Sequence, residues 1–141
     1  MHNMTGLMEY FNKQPRLGVF STSSKEGKVD SAVYGSPQMI DEKTVKVALA
    51  GGRTFANFQE NPNAAYIIIE QGGSILDWKG IRVYLRMKEY VTSGPQFDTY
   101  KSQMAKVVGE QAAGMIKVLA TFEVVEVRPL VDFGQSWERS I

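Results

Sequence analysis

The chain has 141 residues, enough for one domain with its own core. Sixteen Lys plus Arg against fifteen Asp plus Glu leave a net charge of +1, a poor match for a long polyanion. There is no Cys and the single His is His2, which excludes disulfides, thiolate nucleophiles and Cys-ligated metals and disfavours His-dependent triads, metal sites and haem ligation. Redox chemistry here has to be borrowed from a bound organic group. The N-terminus lacks the pattern of a secretory signal, and the longest apolar run, residues 64–69, is too short to span a bilayer. A cytoplasmic protein without membrane contact is the expectation.

Residues 5–14 place Leu7, Met8 and Phe11 at helical spacing, with Thr5 as N-cap and Pro15 as the stop. Residues 17–22 read as a strand, 24–27 as a turn, and 28–35 as a second strand. A third strand covers 44–49 after a turn at Asp41-Glu42-Lys43. Gly51-Gly52 follows, then a short helix over 53–60 that buries Phe55 and Phe58. Thr54 is its expected cap and Asn61-Pro62 its end. Residues 64–70 form a buried strand, and a loop with Asp77 and Trp78 leads out of it. From Ile81 the pattern alternates, with Ile81, Val83, Leu85 and Met87 on one face. Ser93-Gly94-Pro95 opens a helix with the stripe Phe97, Tyr100, Met104, Val107 and Val108, ended by Gly114. The last strand runs over 116–127. Its apolar phase slips between Val124 and Val125, which predicts a bulge. The tail after Pro129 holds Phe133 and Trp137 without a regular pattern. About six strands and three short helices without a βαβ rhythm predict a single α+β domain built on an antiparallel barrel.

The segment with chemistry is Ala48-Leu49-Ala50-Gly51-Gly52-Arg53-Thr54, a strand, a Gly-Gly turn and a helix start. A helix N-terminus offers free backbone N–H groups and a partial positive charge. Arg53 adds a planar fork for phosphate oxygens and Thr54 a hydroxyl donor. The same residues also suit a plain turn with Arg53 in solvent. The spacing fits neither a Walker A loop nor a dinucleotide Gly-x-Gly-x-x-Gly.

The order of Ser31-Ala32-Val33-Tyr34 on one strand, Ala48-Leu49-Ala50 ending another, then Gly51-Gly52-Arg53-Thr54 and Asn57 resembles the flavin-binding split-barrel family related to pyridoxamine 5'-phosphate oxidase. The resemblance implies a homodimeric split β-barrel with FMN at the subunit interface. It implies that Arg53 and Thr54 hold the phosphate. Ser31, Ala32, Val33 and Tyr34 with Ala48, Leu49 and Ala50 would line the ring and ribityl chain. Asn57 would be structural, and Trp137 would reach the flavin from the second subunit. An oxidoreductase acting on a small-molecule redox substrate follows, with an FMN carrier or electron-transfer protein as the alternative. A deazaflavin or haem-type ligand stays open beside FMN. The chain departs from the oxidase in having Arg53-Thr54 where a paired Arg-Lys is expected, and in lacking a substrate-site His. Trp78 reads as a flavin lid or as an anchor in the core or dimer. Arg82, Arg86 and Lys88 with Tyr84 and Tyr90 have the look of a single-strand nucleic-acid platform. A solvated sheet face is the expectation there, with no nucleic acid as partner.

Overall fold

The computed structural model describes residues 4–141. His2 and the side chain of Thr5, the expected cap, lie outside the described residues. Helix α1 (Met4–Asn12) leads into β1 (Gly18–Ser23) and β2 (Val29–Val33), followed by β3 (Gln38–Asp41) and β4 (Thr44–Leu49). Then come α2 (Gly52–Glu60), β5 (Asn63–Glu70), β6 (Lys79–Val91), α3 (Pro95–Val108), α4 (Glu110–Gly114) and β7 (Val118–Pro129). Single 3₁₀ turns cover Ile75–Asp77 and Trp137–Ser140.

All seven strands join one antiparallel sheet in the order β2-β1-β5-β6-β7-β4-β3. A flat sheet would hold β1 and β7 about 14 Å apart, three inter-strand spacings. Yet Phe20 of β1 and Phe122 of β7 stack edge-on with ring centroids 5.5 Å apart. The sheet is therefore curled into a barrel, and these rings meet across its interior. Tyr66, Val45, Val47, Ile81, Val83 and Ala120 fill the rest of it, each with no exposed surface.

Six strands were expected and seven form. The missed strand, β3, has four residues, begins directly after Pro37 and lies on the sheet edge, where a short run carries little periodicity. The bulge in β7 is present: Tyr84 faces Glu126 and Leu85 faces Val124, so Val125 is the extra residue. A second slip between Met87 and Glu89 marks one in β6. The helix expected to run to Gly114 stops at Gly109, whose φ of 92° terminates α3 while its N–H donates to the Ala105 carbonyl. Its expected apolar stripe is only partly covered. Phe97 is buried, whereas Val107 is 75% exposed.

Arg16 locks the closure. Its guanidinium donates to the carbonyls of Phe11, Gly35 and Pro37 at 2.5, 2.8 and 2.7 Å. It also lies over the rings of Phe11 and Tyr66, with its carbon 5.4 and 5.3 Å from their centroids. One side chain thus ties the end of α1 to the β2–β3 connection. Asn12 adds a reciprocal pair with the backbone of Met39, both bonds 2.8 Å long.

Candidate functional site

Strand β4 ends at Leu49 and the chain turns into α2 through two glycines with positive φ, 98° at Gly51 and 79° at Gly52. A Cβ at either would meet nothing within 4 Å, so the backbone conformation and not crowding demands glycine. Gly51 is the N-cap of α2 and no side chain bonds the helix start. The first N–H groups of this nine-residue helix are left for solvent or a ligand.

Thr54 is not the cap expected from the sequence. The helix begins two residues earlier because the positive-φ glycine pair, not a hydroxyl, sets the entry. Thr54 then falls in the first turn on the inward face, 4% exposed. Asn57 is structural, as expected: its amide donates to Thr22 Oγ1 at 3.0 Å in a buried pair that fastens α2 to β1. Phe58 completes the anchor, packing on Phe122 at 5.5 Å.

Arg53 projects into solvent, with 78% of its side chain exposed, 3.6 Å from the Asp30 carboxylate of β2. Such a pair contributes little to stability. The pair spans the ground between β2 and the α2 start. Ser31 is on the same strand, its hydroxyl 2.8 Å from that of Ser21. Ala32 pairs with Phe20, and Val33 is 70% exposed on this sheet edge. Tyr34 turns inward. Its ring packs edge-on against Phe20 at 5.5 Å, its N–H donates to Gly18, and its carbonyl accepts from the Tyr66 hydroxyl at 2.6 Å.

Sequence reasoning missed two residues here. The hydroxyl of Ser36 accepts from the Ala48 N–H at 3.2 Å and donates to its carbonyl at 2.7 Å. It stands in for a neighbouring strand where β3 has not yet begun, so the Ala48 backbone is already satisfied. The Leu49 carbonyl accepts from Lys117 at 2.8 Å. Asp30, the other omission, is a carboxylate beside Arg53. Its alternation on β2 was visible, but its partner was not.

The structure brings Arg53 to Asp30 of β2, on the face that Ala32 shares, while Ser31 and Val33 point to the opposite face of the strand, and it sets Ala48, Leu49 and Ala50 directly before the glycine turn. Trp137 is not with them in one chain. The α2 turn adjoins the start of β7, where Leu49 pairs with Val118. Trp137 follows the far end of β7, where the Leu130 N–H donates to Ser140. Its ring packs on the core from that side.

On the basic face of β6 only Arg82 is paired among the described residues; Arg86 and Lys88 are exposed without an ion pair. Arg82 donates to the Pro129 carbonyl and to Asp132, and Arg128 also binds Asp132. These contacts hold the Asp132 carboxyl below its usual range and pin the turn after β7. Among the described residues no group of His, Asp or Glu is placed to hold a metal, and no helix is long and apolar enough to cross a membrane.

No protein-family model and no curated protein matches the sequence. Solved structures do match its fold. An FMN-binding protein from Syntrophomonas wolfei subsp. wolfei superposes with a TM-score of 0.77 at 21% identity, over 92% of this chain and 87% of that one. A candidate pyridoxamine 5'-phosphate oxidase from Lactobacillus delbrueckii gives 0.61 at 15% identity, over 84% and 88%. The heme storage protein HutZ from Vibrio cholerae gives 0.60 at 15% identity, over 89% and 94%. The chain thus has the α+β split-barrel fold shared by pyridoxamine 5'-phosphate oxidase-like and FMN-binding proteins.

Proposed function

We propose that this chain is a homodimeric FMN-binding flavoprotein that acts as an oxidoreductase on a small-molecule redox substrate. The observation that carries this reading is the α2 entrance: a helix start without a side-chain cap, opened by two positive-φ glycines, with an exposed Arg53 poised beside it. That arrangement suits a terminal phosphate. In this reading the first N–H groups of α2 and the Arg53 guanidinium hold the phosphate. Ser31, Ala32 and Val33 flank the chain of the ligand, and Ala48, Leu49 and Ala50 form a wall beside it. Thr54 and Tyr34, both turned inward, shape the seat from behind. The bound flavin would supply the electron chemistry, which fits a chain without Cys and with its one His at position 2.

The homodimer has its own support. β2 is an edge of the sheet, and Val29 and Val33 on it are 82% and 70% exposed. A second copy seated there would cover both and complete the open side of the ligand seat. Trp137 can contribute to the site only from that second copy, since its own chain places it at the other end of β7.

Fluorescence titration of the apoprotein with FMN tests the reading. Arg53→Ala is expected to weaken binding by about 1.5–3 kcal/mol, the range for a hydrogen bond to a charged group. Asp30→Asn is expected to strengthen it several-fold, because the carboxylate competes with phosphate for Arg53 and repels it. Unchanged FMN affinity in a folded Arg53→Ala protein would remove the clamp. Tighter binding of hemin than of FMN would overturn the flavin assignment. Anaerobic mixing of the FMN-loaded protein with NADH or NADPH separates the enzyme from an electron carrier: bleaching of the flavin supports a reductase.

A further inference from the structure

Helices α3 and α4 leave the barrel between β6 and β7 and fold back over its outer face. The alternation on β4 sends Val45, Val47 and Leu49 into the core, so Lys46 and Ala48 point outward. Leu119 pairs with Ala48 and also points outward, yet is only 2% exposed, because the arm shields it. The arm does not pack flush. It leaves three adjoining cavities of 480, 340 and 370 Å³, all of them lined in part by Tyr100 and Met104. The 340 Å³ cavity lies against Ala48, Leu49 and Ala50, with Val108 and Met115 on the arm side. That volume is within the range of small-molecule sites.

The polar inventory of the 340 Å³ cavity is short, Ser36 and Tyr100, whereas the two outer cavities add amides such as Gln38 and Gln103. Around the 340 Å³ cavity no lining side chain is charged, and Lys46, at the outer cavity, is the one charged group along all three. The Ser36 hydroxyl is already engaged with Ala48. The Tyr100 hydroxyl has no hydrogen-bond partner among the described residues. Burial pushes its phenol up, so it stays a neutral donor. Methionines give such a wall adaptable packing. An anion would meet no compensating charge inside, and a cation would meet no carboxylate.

We propose that the slot between the α3–α4 arm and the outer face of β4 and β7 binds an uncharged, apolar small molecule carrying a carbonyl-type acceptor, to which the Tyr100 hydroxyl donates. The site stands on its own geometry. Only its meaning, as a seat for the redox substrate beside the wall at Ala48–Ala50, rests on the flavin reading.

The test uses the full chain and two probes, the neutral 2-methyl-1,4-naphthoquinone and the anionic 1,4-naphthoquinone-2-sulfonate, followed by calorimetry. The neutral probe is expected to bind once per chain and the anionic one at least tenfold more weakly. Tyr100→Phe is expected to weaken the neutral probe about fivefold, one neutral hydrogen bond, and Met104→Glu more than tenfold. Neither variant is expected to change FMN affinity or the mass in solution measured by light scattering. The proposal falls if the neutral probe does not bind, if both variants bind it like the parent, or if FMN displaces it. It falls too if Met104→Glu changes the mass, which would make the slot a contact between copies. The flavin reading fails separately, through unchanged FMN affinity in Arg53→Ala.

Discussion

Replacing Arg16 with Ala is expected to lower stability by about 2–4 kcal/mol, read from the midpoint and slope of a urea denaturation curve. Three carbonyls, of Phe11, Gly35 and Pro37, lose a charged donor at once, and two aromatic rings lose the cation lying over them. Each carbonyl left short of water costs on the order of 1 kcal/mol, and each cation–π contact about half that or more. Partial exposure of the side chain keeps the total below that of a fully buried ion. Burial pulls the guanidinium below its usual value, with Tyr66 opposing, but an arginine stays charged throughout the neutral range. Arg16→Lys is expected to recover less than half of the loss, because an ammonium has no planar fork to span carbonyls from two segments. A loss under about 1 kcal/mol for Arg16→Ala would show that the closure is held elsewhere.

Phe122→Ala is expected to cost about 3–5 kcal/mol, as for other large aromatic truncations in a closed core. Phe122 has no exposed surface and meets Phe20 at 5.5 Å and Phe58 at 5.5 Å, both nearly edge-on. It is one of the rings through which the barrel wall holds α2, beside Tyr90 of β6, which packs on Phe55 and Phe58. The same variant is therefore expected to weaken FMN binding, although it is remote from the phosphate seat, since the helix start is only as well placed as the helix. Phe122→Leu separates the effects: it retains much of the volume and is expected to lose much less stability. Normal FMN affinity in a destabilised Phe122→Ala protein would show that the Asn57–Thr22 bond and the Tyr90 ring position α2 without Phe122.

The antiparallel barrel was legible because its long strands have strict alternation. Ile81, Val83 and Leu85 are all buried, and the slip at Val125 shows in the order of apolar residues. The glycine turn was legible too, since two adjacent glycines before Arg53 and Thr54 have few other uses. Three features were not. The four residues of β3 are too few to show a period. The cap of α2 went to glycine because positive φ is a backbone property that a nearby threonine conceals. The distribution of polar partners was the third: Ser36 on Ala48, Asp30 on Arg53 and Arg16 on three carbonyls join residues between 5 and 23 positions apart. Such pairings arise from the curl of the sheet and leave no local trace. The stripe on α3 misled for a related reason. Its spacing is helical, but the helix covers a slot, so half of the stripe faces space.

The α3–α4 arm departs from Val91 and returns at Leu119, and these two residues are direct partners in the β6–β7 ladder. The β6–β7 ladder would accept a tight hairpin in place of residues 92–117, at the cost of the Lys117 bond to the Leu49 carbonyl and of the cover over Leu119. Apart from a few buried residues such as Phe97 and Ala113, the arm is an appendage under looser packing constraints than the barrel. Selection can lengthen it, reshape it or exchange its lining while the fold and the α2 entrance stay unchanged. Among chains with this barrel, the excursion between these two strands is where ligand preference can diverge fastest at the least cost in foldability.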